Sequence, residues 1–140
     1  MAEYPQLLHT VLDTTRPREL AEFYRQLLGL RYRSGDEPPA DGAADDADWL
    51  VLVDPAGARK LAFQRVDHLP RTTWPHHEVP MQLHVDFTVS SLAELHRQRE
   101  RAEALGAQLL LDRTDEAGEP LYVFADLSGH PFCIFVRVAG

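Results

Sequence analysis

Apolar and polar positions follow two rhythms along this chain, and the rhythms come in the same order twice. Leu7 to Asp13 is rich in Leu and Val and predicts a strand, followed by Thr14, Thr15, Arg16 and Pro17, where a strand can stop and a helix begin. Pro17 suits the first turn of a helix, because its missing N–H would have no helical partner there. Leu20, Phe23, Tyr24, Leu27 and Leu28 then recur at helical spacing, and Gly29 suits the left-handed residue that ends such a helix. Further on, Met81, Leu83, Val85, Phe87 and Val89 alternate with Gln82, His84, Asp86 and Thr88, the two-residue period of a strand with one wet face. A second helix follows: Ser91 with Glu94 makes a capping-box pattern, Leu92, Leu95, Ala102 and Leu105 form a stripe predicted to be buried, and Gly106 closes it.

Short strands are predicted over 30–33, 49–53 and 60–66, then over 108–111, 121–125 and 132–138, so each half reads βαβββ. Superimposing His9 on His84 sets a shift of 75 (84 minus 9), which also places Leu12 on Phe87 and Leu20 on Leu95. Near the end of each half, Asp54-Pro55-Ala56-Gly57 with Phe63 to Val66 lines up with Asp126-Leu127-Ser128-Gly129 and Phe135 to Val138 at a shift of 72 (126 minus 54). A unit that recurs this way does not bury its sheet alone. The expected fold is α+β: two tandem βαβββ modules with pseudo-two-fold symmetry, forming a curved mixed sheet that lines a cleft, with helices outside. Module 1 spans about 4–66, a crossover loop about 67–80 and module 2 about 81–140, all within a single domain.

Composition narrows the setting. With 140 residues, 44% apolar and 26% charged, the chain suits one folded domain. A net charge of -8 and the absence of a Lys/Arg cluster argue against nucleic acid, and favour neutral or cationic small ligands, although acidity is also a common route to solubility. The polar start, Met1 to Gln6, and the lack of a long apolar run predict a soluble cytoplasmic protein with no membrane partner. The lone Cys133 cannot form an intrachain disulfide, which agrees with a reducing compartment. No Gly-rich phosphate cradle, nucleophile elbow or paired-Cys zinc ribbon occurs.

Two linkers remain. Residues 35–48 hold Pro38, Pro39, Gly42 and the acids Asp36, Glu37, Asp41, Asp45, Asp46 and Asp48, and read as a mobile, solvated loop. His76 and His77 sit beside Trp74 in the crossover. Adjacent residues of an extended chain point to opposite sides and do not readily aim at one atom, so this too reads as loop.

Chemistry concentrates on the opening strand of each half. The polar face of His84, Gln82, Asp86 and Thr88 needs water or partners. It predicts either a wet cavity or a solvated face with a structural ion pair to Arg137. His9 shares its predicted face with Leu7, Val11 and Asp13, a more apolar wall.

His9, Phe23-Tyr24, Leu27-Leu28-Gly29-Leu30, then His84, Leu105-Gly106-Ala107 and Asp126-Leu127-Ser128-Gly129-His130-Pro131 together resemble the vicinal oxygen chelate superfamily, in its glyoxalase-like, bleomycin resistance and dioxygenase branch. The resemblance implies a small molecule bound in a sheet-lined cleft by His9, Gln64, His84, Asp86, Cys133 and Arg137. His84 and Asp86 are then the candidate catalytic residues, for lyase, isomerase or dioxygenase chemistry through an oxyanion or enediolate. The family's enzymes usually hold a divalent metal with two His and two Glu, which implies His9 and His84 as ligands. Cys133 and Leu61 stand where the carboxylates are expected, with Gln64 the only nearby polar alternative. Carboxylates neutralise a hard cation and an amide does so poorly, whereas two His and a Cys suit zinc. Enzymatic activity is therefore left open, as is the cofactor, between a divalent metal and none. The alternative is a metal-free protein that sequesters a cationic drug or metabolite; bleomycin-resistance relatives do this in grooves between two subunits, which implies a homodimer.

Overall fold

A computed structural model describes residues 4–116 and 118–137. Val138, the predicted end of the last strand, lies outside the described residues, as do Met1, Ala2 and Glu3 of the polar start. The chain forms two compact units, Met1–Leu69 and Pro70–Gly140, dividing within the crossover.

The first unit runs β1 (Thr10–Thr14), α1 (Pro17–Leu28), β2 (Arg31–Tyr32), β3 (Trp49–Val53) and β4 (Arg59–Arg65). Its sheet has the order β1-β4-β3-β2, with β1 parallel to β4 and the other pairs antiparallel. The parallel pair needs a crossover, and α1 supplies its first leg. Pro17 occupies the first turn as predicted, the buried Thr14 hydroxyl accepts from Arg16 N–H at 3.0 Å, and Gly29 ends the helix in the left-handed conformation. Leu20, Ala21 and Tyr24 are fully buried against one face of the sheet, where Leu12, Leu50 and Phe63 share a register row and Tyr24 stacks on Phe63 at 6.0 Å. Each such Leu or aromatic side chain stabilises the unit by about 1.5–3 kcal/mol.

The second unit repeats the plan: β5 (Val85–Val89), α2 (Leu92–Ala104), β6 (Gln108–Arg113), β7 (Leu121–Ala125) and β8 (Pro131–Val136), in the order β5-β8-β7-β6 with β5 parallel to β8. Phe132, Phe124, Ile134 and Tyr122 form its buried side, and the Tyr122 hydroxyl lies 2.9 Å from His96 Nδ1 on α2. Ser91 Oγ caps α2 by accepting from Glu94 N–H at 3.1 Å, while the Glu94 carboxylate turns to Arg97. Leu92 departs from the predicted stripe and is 46% exposed, because the packed line runs through Leu95, Arg99 over the Tyr122 ring, and Ala102. The α+β class and the two tandem βαβββ modules are as the periodicity predicts.

Three local findings correct the sequence reading. The opening strands start later than expected, at Thr10 and Val85, leaving His9 and His84 just outside them. The physical reason differs between units. In the first, β4 bulges: Val53 pairs with Arg59 and Leu52 with Leu61, so Lys60 is left over and the β1 ladder ends at Leu61. In the second, the ladder stops at Phe132, and the next residue, Pro131, has no N–H to donate.

The bulge also breaks the shift of 72. The two Asp turns match: Asp54 Oδ1 accepts from Ala56 and Ala58 N–H, as Asp126 Oδ1 does from Ser128 and His130 N–H. Past Lys60 the register pairs Leu12 with Phe63 and Phe87 with Ile134, so the shift becomes 71 (134 minus 63) and the counterpart of Cys133 is Ala62, not Leu61. One residue of slip exchanges the two faces of a strand.

The third finding concerns residues 35–48, which are exposed over most of their length, as expected, but are tied to the unit at Asp36 and Asp45. Asp36 accepts from Val51 N–H at 2.9 Å and pairs with Arg33, while Arg18 on α1 bonds Asp45 at 2.7 Å and the Asp36 carbonyl at 2.7 Å. The Arg18 hydrogen bond holds the Asp45 carboxyl below its ordinary pKa, against a smaller opposing effect of burial. Arg18→Ala should therefore cost about 1 kcal/mol of unfolding free energy at neutral pH. Because Asp45 titrates lower in the folded state, its share is present above the ordinary carboxylate pKa and is lost as pH falls through the depressed one. Urea melts of both proteins at neutral and acid pH should show the difference narrowing in acid; a constant gap would mean the carboxylate contributes nothing.

Candidate functional site

Each helix covers one face of its sheet, and the other face carries no helix of its own unit. Alternation decides which side chains stand there. On the second sheet the row Asp86, Cys133, Val123, Leu111 lies beside the row Thr88, Phe135, Leu121, Arg113. Asp86 and Cys133 are direct register partners on neighbouring strands, and His84, two residues before Asp86, projects to the same side. Their ligating atoms lie within 4.8 Å of one another, with His84 Nε2 3.3 Å from Asp86 Oδ1. His84 and Asp86 are exposed and Cys133 is half-buried. Among the described residues this is the one cluster of three or more His, Cys, Asp or Glu donors with ligand spacing.

Burial first, then the negative charge of Asp86 and a hydrogen bond to its carboxylate, push the Cys133 thiol up to about 11. The cluster is thus not an activated nucleophile, since a carboxylate beside sulfur opposes the thiolate that such chemistry needs. It can accept hydrogen bonds, pass a proton between His84 and Asp86, or hold a cation.

The helix-free face of the first sheet differs. Val11, Ala62 and Val51 form one row, and Asp13, Gln64 and Trp49 the next. The His9 ring lies 5.9 Å from the Trp49 indole, and its Nδ1 is shielded from solvent with no hydrogen-bond partner. Burial first, then the fields of Arg59 and Arg33, hold the His9 pKa below its ordinary value, so the ring is neutral at neutral pH. Those two guanidinium groups escaped the sequence reading, because nothing in the period of the strands brings Arg33 and Arg59 toward His9.

The predicted site residues therefore separate. His84, Asp86 and Cys133 meet in the second unit. Gln64 stands between Asp13 and Trp49 in the first. Arg137 follows β8, is exposed, and donates its backbone N–H to Val89 O at 2.9 Å; Asp86 pairs with His84 rather than with it. His76 and His77 are exposed in the crossover, where Thr72 and Thr73 bond back to Val79.

A glyoxalase-like domain family model matches residues 9–135, taking in both units and both Asp turns. The chain belongs to the glyoxalase-like family, within the vicinal oxygen chelate superfamily. Solved structures with the same fold include a glyoxalase/bleomycin resistance protein/dioxygenase family enzyme from Burkholderia phytofirmans, 14% identical, with a TM-score of 0.68 over 92% of this chain and 96% of that one. A variant of the fosfomycin resistance protein FosX from Listeria monocytogenes, complexed with Mn(II) and 1S,2S-dihydroxypropylphosphonic acid, is 19% identical, with a TM-score of 0.68 over 99% of this chain and 95% of that one. FosX from Mesorhizobium loti is 15% identical, with a TM-score of 0.65 over 99% and 94%. Among curated proteins none matches the chain in sequence. No helix among the described residues is long and apolar enough to cross a membrane.

The two-His, two-carboxylate metal set that this family implies does not fit the donors present. In the first unit Ala62 occupies the last-strand position, and two cationic groups surround His9, which disfavours a divalent cation there. In the second unit Cys133 stands in place of a carboxylate. For chelator-treated protein at mildly alkaline pH, a thiol shifted from 9.0 to about 11 should alkylate about a hundredfold more slowly than a free cysteine, in proportion to its thiolate fraction. Asp86→Asn should speed the reaction several-fold; equal rates in the two proteins would show that Asp86 does not act on the sulfur.

Proposed function

We infer that this glyoxalase-like protein binds a small organic molecule on the helix-free face of its second sheet, with His84 and Asp86 as its polar contacts. The observation that carries this reading is the convergence of His84, Asp86 and Cys133 on a face that also offers apolar rows through Val123, Leu111, Leu121 and Phe135. Ligand sites join an apolar surface to a few polar groups that set orientation. The His84–Asp86 pair suits proton transfer next to a carbonyl or a developing oxyanion, the step common to the lyase and isomerase chemistry of this fold. The similarity to FosX, solved with a phosphonic acid, supports a small polar ligand without naming it.

A second reading is favoured by one observation in the first unit. Trp49 and Asp13 flank Gln64 on the helix-free face, an aromatic surface next to a carboxylate, which suits a cationic drug or metabolite held without turnover. This reading goes with a groove shared by two copies of the chain, and light scattering after gel filtration should then give a dimer.

A thermal-shift screen of small carbonyl compounds, phosphonates and organic cations separates the two. On the first reading, hits bind at least about tenfold more weakly to His84→Ala or Asp86→Asn, a loss of about 1.4 kcal/mol, and are indifferent to Trp49→Ala. Hits that are cationic and respond to Trp49→Ala alone would establish the second. An empty screen, or hits indifferent to all three substitutions, would remove both.

A further inference from the structure

We propose that the first unit holds the oxyanion end of a small organic acid on its helix-free face, with Arg59 as the anchoring charge and Trp49 and Val11 as the apolar wall beside it. This goes beyond both readings above: it lies in the other unit from His84 and Asp86, and it takes the opposite charge to the cation placed next to Asp13.

The bulge delivers the anchor. Regular alternation back from the core residue Leu61 would put Arg59 on the helix side of β4. Because Lys60 is left out of the ladder, Arg59 instead pairs with Val53 and takes the face that Val53 shares with Val51. Arg33, continuing from β2, donates its backbone N–H to Val51 O at 2.9 Å and stands at that level. His9 leans over the same face, its ring 5.9 Å from the Trp49 indole, and both guanidinium groups are close enough for their fields to act on it. Trp49 and Val11 remain 36% and 37% exposed, so this side of the sheet is open to a ligand.

Charge pairing sets Arg59 apart. The chain carries 22 acids, yet among the described residues Arg59 is the one half-buried arginine whose side chain makes no hydrogen bond or ion pair. Arg18, Arg25, Arg33, Arg99 and Arg101, the other half-buried ones, all have a side-chain partner. Two acids at this end of β3 are already engaged: Asp36 by Arg33 and the Val51 amide, Asp54 by Lys60 and two amides of its own turn. A guanidinium drawn partly out of water without an acceptor is left uncompensated, and a carboxylate or phosphonate meets its planar fork with two parallel hydrogen bonds. His9 Nδ1, shielded and without a partner, is a second unmet polar atom in the same corner; once the ring turns, the neutral imidazole can donate from it to an anion's oxygen. The positive field that turns a dication away from His9 draws an anion in.

Two-dimensional proton–nitrogen NMR of the full chain at low ionic strength tests this with benzoate, phenylphosphonate and the uncharged benzamide. The expected result is a saturable shift of the Trp49 indole N–H with at least one of the two anions, absent with benzamide and weakened by added salt. Arg59→Gln should weaken binding at least about tenfold, the order set by a hydrogen bond to a charged group. Arg59→Lys, which keeps the charge without the fork, should recover part of that loss. Since Arg59 has no partner to lose, Arg59→Gln should melt no lower than the unaltered protein. Arg16→Gln, which removes the same charge from the exposed start of α1, should bind like the unaltered protein. The proposal is overturned if neither anion shifts the indole, if benzamide binds as well as benzoate, if Arg59→Gln keeps full affinity or loses it together with its fold, or if Arg16→Gln weakens binding as much. Its failure leaves the screen against His84→Ala and Asp86→Asn as it was, because none of these variants lies in the second unit.

Discussion

One constraint organises each unit: the first and last strands run parallel and adjacent, and a helix covers only one side of the sheet they belong to. Parallel neighbours cannot be joined by a tight turn, so the chain must leave the sheet and return. α1 and α2 begin those excursions and bury Leu20, Tyr24, Leu95 and Ala102 on the way. The period of two then splits every strand into a core side and a helix-free side. Chemistry is left to the second of these, where residues at the same or adjacent register levels of neighbouring strands can act together.

The two units keep this plan and differ in what they place on it. At matching levels the second presents His84, Asp86 and Cys133, and the first His9, Val11 and Ala62. Electrostatics widens the contrast. Burial is the first cause of both shifts, and to it Asp86 adds a negative field that raises the Cys133 thiol pKa, whereas Arg59 and Arg33 add positive fields that lower the His9 imidazole pKa. A duplicated scaffold has thus become chemically asymmetric, through side chains that hardly touch the folding of either half.

The acidity of the chain is partly structural. Asp36 and Asp45, two of the acids in the 35–48 segment, are tied to Arg33, Arg18 and the Val51 amide. Asp54 and Asp126 cap their turns by accepting two backbone N–H groups each. A net charge of -8 is therefore a poor guide to ligand charge when several acids already have partners.

Much of the fold was legible in the sequence because it rests on local rules. Pro17 and Gly29 mark the ends of α1, Ser91 marks the start of α2, and the apolar runs predicted as strands over 49–53 and 121–125 match β3 and β7 to the residue. The order of these signals in two copies carried the family as well. Tertiary structure alone decided the register. The bulge at Lys60 arises from how β4 pairs with β3, and a pairing between distant residues leaves no mark in the local pattern. That single extra residue puts Ala62, rather than Leu61, opposite Val11; neither is a donor, and among the described residues only the second unit gathers three. The sequence by itself determined which elements form and which residue types could do chemistry. Which of those residues meet was settled by strand pairing, because a side chain's neighbours across a sheet depend on register, and register is a property of two strands at once.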